Sequence, residues 1–118
     1  STSSQLFYLG FFQNQVFFIA EASNNQNPVV GGNIALDTWY HIAAVYDSQN
    51  AQVFVNGQVQ ATEAITGPVN TYLGGVVSLG ASVASGQFEN FCNCSMRELG
   101  VWKRPLSNSE VTALYNNP

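Results

Sequence analysis

The densest apolar pattern in the chain runs from Trp39 to Gly57, WYHIAAVYDSQNAQVFVNG. Between Trp39 and Tyr46 only His41 interrupts a run of aromatic, aliphatic and Ala side chains. In an extended chain Trp39, Ala43 and Val45 fall on one side, and Tyr40, Ile42, Ala44 and Tyr46 on the other. That pattern predicts a strand buried on both faces. Asp47-Ser48-Gln49-Asn50 is turn chemistry, because short polar side chains bond their own backbone. Val53-Phe54-Val55 gives the next strand. Asn56-Gly57 is a hairpin signal that pairs Val55 with Gln58 and Phe54 with Val59, with Gln58–Glu63 as the returning arm.

Either side of this centre the pattern is again one of short strands and polar breaks. Leu6–Phe12 and Val16–Glu21 are aromatic-rich strands joined by a short loop at Gln13-Asn14-Gln15. Phe occurs at 7, 11, 12, 17 and 18, on both faces, so these strands are either buried twice over or carry an exposed aromatic strip. Ser23–Leu36 reads as an irregular loop, because its amide run, Pro28 and Gly31-Gly32 all oppose regular structure. Ala64–Tyr72 and Ser82–Gln87 read as further loops, Val76–Ala81 as a short strand, and Met96–Lys103 as the last strand. Ser107 then opens a helix with Glu110 three residues on, a capping box. Leu106 and Val111 form the hydrophobic staple, and Asn116-Asn117-Pro118 closes the helix. Many short strands with one terminal helix predict an all-β, antiparallel β-sandwich or jelly roll.

Composition narrows the function. The 118 residues suffice for one domain, 1–118. Only 8% are charged, far below the roughly 25% of an ordinary soluble domain. Asn, Gln, Ser and Thr supply the polarity instead, which suits an extracellular, secreted or cell-surface protein whose surface is glycosylated or covered by neighbours. Three basic residues against seven acidic ones leave nucleic-acid binding little to work with. No apolar run approaches the roughly 20 residues of a membrane span.

Candidate chemistry is sparse. A glycosidase needs two carboxylates close together, and Glu21, Asp37, Asp47, Glu63, Glu89, Glu98 and Glu110 are all well separated in sequence. His41 is the single His and no Gly-x-Ser-x-Gly elbow accompanies it. It reads as a structural residue satisfied by a hydrogen bond, and the chain as no enzyme. Zinc has no credible ligand set. Cys92 and Cys94, two apart, are either a disulfide closed by a sharp turn at Asn93, or free thiols, or cross-links to another segment or neighbour, with oxidation favoured. Asn93-Cys94-Ser95 also matches the N-glycosylation pattern at Asn93. Tyr72 lies in a loop and, with the amide-rich 23–33 loop, is material for a glycan contact. Packing of Tyr72 against its own loop is the plainer alternative.

Several of these stretches together resemble one family. "LDTWYHIAAVYDSQNAQVFVNGQ", "YLGGVVSLGAS" and "MRELGVWKRPLSNSEVTALY" are similar, in order and spacing, to the successive motifs of laminin-G-like, concanavalin A-like lectin domains. The likeness covers roughly Leu36–Tyr115. It implies a jelly roll acting as a non-catalytic binding or adhesion module, with carbohydrate or protein partners held by rim loops. Many such domains carry Ca2+ at the rim. Here the loop acids are few (Asp37, Asp47, Glu89), so the resemblance leaves calcium open and assigns no ligands. The family's first strands have no counterpart before Leu6. The chain is therefore expected to be a fragment, a minimal sandwich, or one completed by a neighbouring copy. Scarce charge and the paired Cys support the other reading, a structural subunit of an extracellular fibre or sheath built from copies of itself.

Overall fold

A computed structural model describes residues 7–22, 27–69, 79, 82–84, 87–89 and 92–117. Tyr72 and, Leu79 excepted, the strand expected over Val76–Ala81 lie outside them. Three strands form one antiparallel sheet in the order β1 (Phe7–Phe12), β2 (Gln15–Ala20), β3 (Val29–Asn33). A second sheet is ordered β4 (Ile42–Tyr46), β5 (Asn50–Val55), β6 (Gln58–Ala64). A short pair, β7 (Ser82–Ala84) with β8 (Gln87–Glu89), and one helix, α1 (Asn108–Asn116), follow. The two three-stranded sheets pack face to face as a β-sandwich, with β2 and β3 lying over β5 and β6.

The β1–β2 and β5–β6 hairpin turns are tight. Gln13 and Asn14 have φ of 52° and 63°, and Asn56 and Gly57 have 51° and 80°, the paired left-handed conformations of a two-residue turn. Val55 pairs with Gln58 and Phe54 with Val59, as the Asn-Gly signal predicts. At the opposite end of β4, the Asp47 carboxylate accepts from the backbone N–H groups of Asn50 (2.7 Å) and Gln49 (2.9 Å). Those bonds, the one from Asn50 first, hold its pKa below the usual carboxylate value. The Tyr46 hydroxyl donates to the Gly67 carbonyl, and the N–H groups of Ile65 and Gly67 reach Gln49 and Ser48 at 3.1 Å each. These bonds fold the 65–69 segment over that turn and bury Ile65.

The hydrophobic interior has two parts. Val16, Phe18 and Val29 of the first sheet meet Ala51, Val53 and Val55 of the second. On the outer face of the second sheet, Val45 and Phe54 pack with Val111 of α1, and Ala43 and Leu106 close the edges. The strand apolar on both faces thus has both faces covered, one by a sheet and one by the helix. The helix starts as its sequence dictates. The Glu110 N–H donates to Ser107 Oγ (3.2 Å) and the Ser107 N–H donates back to Glu110 Oε1 (3.0 Å). It is fastened to the Asn56-Gly57 turn by Thr112 Oγ1, which donates to the Gly57 carbonyl at 3.0 Å. A Cβ on Gly57 would stand 3.1 Å from the Tyr115 ring, so the turn's glycine also makes room for α1.

Four expectations need correction. The stretch read as an irregular 23–36 loop contains β3. Val29 is wholly buried there, and Gly31 lets the strand press onto β6, where a Cβ would come within 2.8 Å of Ala61 Cβ. Glycine in this strand marks close backbone approach and not a break. The expected 82–87 loop contains β7 and runs into β8, two short strands seeded by the β-formers Val83 and Phe88. Met96–Lys103 forms no strand. Glu98 adopts a φ of 58°, which interrupts extended backbone, and Leu99 and Val101 are exposed. The first central strand begins at Ile42 and not at Trp39, because the preceding residues form a loop.

Candidate functional surface

The 34–41 loop carries the chain from one sheet to the other and so lies at an end of the sandwich. Its neighbours there are the two hairpin turns. The Ile34 N–H donates to the Asn14 carbonyl (2.9 Å), and the Asn56 N–H donates to the His41 carbonyl (2.7 Å). Within the loop, Asp37 takes a φ of 56° and Thr38 Oγ1 donates to the Leu36 carbonyl (3.0 Å), which makes a tight bend. The Ala35 N–H donates to the Tyr40 hydroxyl at 2.8 Å, so Tyr40 turns inward and braces the loop. Leu36 and Trp39 are thereby turned outward, Trp39 with 60% of its surface exposed. The Arg97 guanidinium lies over the indole, 5.0 Å from the ring centroid, a cation–π contact worth about 0.5–1 kcal/mol at an exposed site. At the same end, Gln15 Nε2 donates to Asn33 Oδ1 at 3.4 Å, an exposed pair of amides.

A large indole, a cation and exposed amides offer stacking and hydrogen bonds to a partner and supply no acid–base pair. Trp39 was missed as a surface residue because its alternation with Val45 reads as one buried face. The signal against burial was the Leu36-Asp37-Thr38 bend just before it.

His41 sits beneath this end. Its backbone N–H donates to Asn56 Oδ1 (2.9 Å) and its ring stands 6.0 Å from that of Tyr115. Nδ1 is buried and makes no hydrogen bond among the described residues, so the expected hydrogen bond is not found at that atom. Asp37 and Asp47 lie in loops at opposite ends of β4. Among the described residues, no three His, Cys, Asp or Glu side chains gather as a metal site. Glu110 is engaged by Arg104, whose Nη1 donates to Oε1 at 2.9 Å; Arg104 first, then the Ser107 N–H, hold its carboxyl at about 2. Cys92 and Cys94 are joined as a disulfide with Cα atoms 5.3 Å apart. Asn93 between them is exposed.

A second surface is formed by β1. Phe7, Leu9 and Phe11 register with Ala20, Phe18 and Val16 and so share the inner face of the first sheet. They nevertheless remain about half exposed, with Phe12 at 63%, because the sandwich packs through β2 and β3. Of the two outcomes open for the N-terminal strands, the exposed strip is the one found. Among the described residues no helix is long and apolar enough to cross a membrane.

Two antiparallel sheets packed face to face define the class as a β-sandwich, and sequence comparison fixes the family. Residues 1–112 match the concanavalin A-like lectin/glucanases superfamily, and the chain belongs to it. Among solved structures, it is similar to a fragment (residues 221–444) of an S-layer domain-containing protein from Clostridium thermocellum. The TM-score is 0.62 at 17% identity, over 86% of this chain and 51% of that one. The chain thus spans about half of that structure. No curated protein matches it by sequence.

Proposed function

We infer that the domain is a non-catalytic module of the cell exterior that holds a glycan or protein partner at the Trp39 end of the sandwich. The observation carrying this reading is the outward-facing Trp39 indole with Arg97 over it, at the end of the sandwich that also carries the exposed Gln15–Asn33 amide pair. Saccharide sites combine such an aromatic platform with amide hydrogen bonds, and protein interfaces are likewise enriched in Trp and Arg. Membership of a superfamily with lectins in its name and the fold shared with an S-layer domain protein support it at the coarse level of an extracellular binding or structural module. The test is a glycan array probed with the isolated domain and with Trp39→Ala. Binding by the parent that falls at least about tenfold in the variant supports the reading, since a buried interface Trp is commonly a hot spot. Saccharide binding that Trp39→Ala leaves intact places the site elsewhere.

A second reading, a structural subunit of an extracellular fibre or sheath, rests on the half-exposed apolar face of β1, which among the described residues is at the edge of its sheet. Such an edge is a template for another strand, and apolar patches of this kind mark packing surfaces. Light scattering distinguishes the two. A subunit that packs through β1 associates with rising concentration, and Phe11→Lys abolishes that association. A monomer at every concentration removes the second reading.

A further inference from the structure

We propose that the Cys92–Cys94 disulfide is a site of thiol–disulfide exchange, open to a thiol-bearing partner while the domain stays folded. Three observations point there. First, the bond encloses a single intervening residue. Loop-closure entropy grows with the number of residues enclosed, so this ring does little to restrict the unfolded chain. Second, both cysteines lie in the 92–107 segment, which contains no strand or helix, and neither belongs to either hydrophobic cluster. Among the described residues, opening the bond therefore separates no pair of strands and opens neither hydrophobic cluster. Third, Cys94 is exposed and Cys92 half-buried, flanked by exposed Asn93 and Ser95. An incoming thiolate can reach the Cys94 sulfur from solvent, and exposed disulfides that hold no structure together are the labile ones.

The exchange is balanced without any oxidant. The partner's thiolate attacks Cys94 Sγ and forms a new S–S bond. The Cys92–Cys94 bond breaks, and its electron pair leaves on Cys92 Sγ as a thiolate. One disulfide is consumed and one formed, and return attack by Cys92 reverses the step. With a protein thiol as the partner the product is a covalent cross-link. With a small thiol it is a capped Cys94.

The probe is reduced glutathione, added to the folded domain without denaturant and quenched with an alkylating agent that captures the released thiolate. Peptide mass mapping is expected to show glutathione on Cys94 and the alkyl group on Cys92. The adduct is expected to form at least tenfold faster than global unfolding measured in parallel. Thermal melting of Cys92→Ser/Cys94→Ser, unaffected by reductant, is expected to match the oxidised parent within a few degrees. An adduct that forms only as fast as the domain unfolds would overturn the proposal, because the bond is then guarded by the fold. A collapse of the double variant's melting transition would also overturn it, and glutathione mapped to Cys92 would overturn the assignment of the entry sulfur.

Discussion

On the inner face of β4 and β5, Ala51, Val53 and Val55 meet a second sheet, whereas on the outer face Val45 and Phe54 meet little more than one nine-residue helix. The inner interface gathers residues from five strands and the segments beyond them, so each side chain carries a modest share. The outer one depends on Phe54, Val111 and Leu106, and on the few bonds that hold α1 in place. Its members are close in sequence on each side, and its far side is solvent. A core of many small contributors tolerates single losses better than one built on a single large ring.

The largest expected effect tests that contrast directly. Phe54 is fully buried, and Phe54→Ala should destabilise the domain by about 3–5 kcal/mol, cavity included. Val53→Ala on the inner face removes far less volume and should cost about 2 kcal/mol by its lost burial. Urea unfolding of both variants measures the pair. If Val53→Ala proved the more damaging, the outer cluster would be peripheral and the contrast would fail.

Next comes the inner interface at its tightest point. Gly31→Val forces side-chain atoms against Ala61 Cβ and the Gln60 carbonyl, within 2.9 Å for the first atom alone. Overpacking of this kind should cost about 1–3 kcal/mol, read as a lower urea midpoint. Gly31→Val/Ala61→Gly opens the space across the sheets and should recover part of the loss, whereas no recovery would mean that the backbone of β6 is the obstacle.

On the helix side, Ser107→Ala removes one half of the capping box and should destabilise by about 1 kcal/mol. Far-ultraviolet circular dichroism should show helix signal melting before the sheet signal in that variant, because α1 can leave without parting the two sheets. A single coincident transition would show that the outer face is as integral to the fold as the inner one.

Elements governed by local chemistry were legible in the sequence. Asn56-Gly57 specified the register of β5 and β6, and Ser107 with Glu110 specified the start of α1. Both depend on groups within a few residues of each other. What misled was periodicity in places where tertiary contacts decide. Gly31-Gly32 reads as a breaker, yet the demand it meets is close approach to β6, a strand far along the chain. Leu99 and Val101 read as one face of a strand with Met96 and Trp102 on the other, but Glu98 turns the backbone and no hydrogen-bonded neighbour holds them among the described residues. Trp39 shows the same limit for the candidate site. Its side chain joins a surface because the Leu36–Thr38 bend starts β4 three residues later than the apolar run suggests. Arg97, its cation, comes from a segment no local pattern could place there, and Tyr72 lies outside the described residues.

The smallest expected effect is electrostatic and belongs to the outer face alone. Glu110 is partly open to solvent, yet Arg104 and the Ser107 N–H hold its folded-state pKa at about 2, against 4.5 unperturbed. A depressed carboxylate pKa contributes stability that is fully present above the unfolded value. The contribution is lost as pH falls from about 4.5 towards about 2, because protonation ends the ion pair and weakens the return bond of the capping box from charge-assisted to neutral. Solvent and salt screen a pair so open, so the change should be slight and should shrink with added salt. Glu110→Gln keeps a side chain able to accept from the Ser107 N–H and removes the titration. Its thermal midpoint should therefore fall less steeply than the parent's across that acid window while matching it closely near neutrality. Asp47, lowered by backbone bonds at the far end of β4, still titrates in that variant and contributes to the remaining slope. If Glu110→Gln left the acid slope unchanged, the Arg104–Glu110 pair would contribute nothing, and α1 would be held to the sheet by its apolar face and the Thr112–Gly57 bond without electrostatic help.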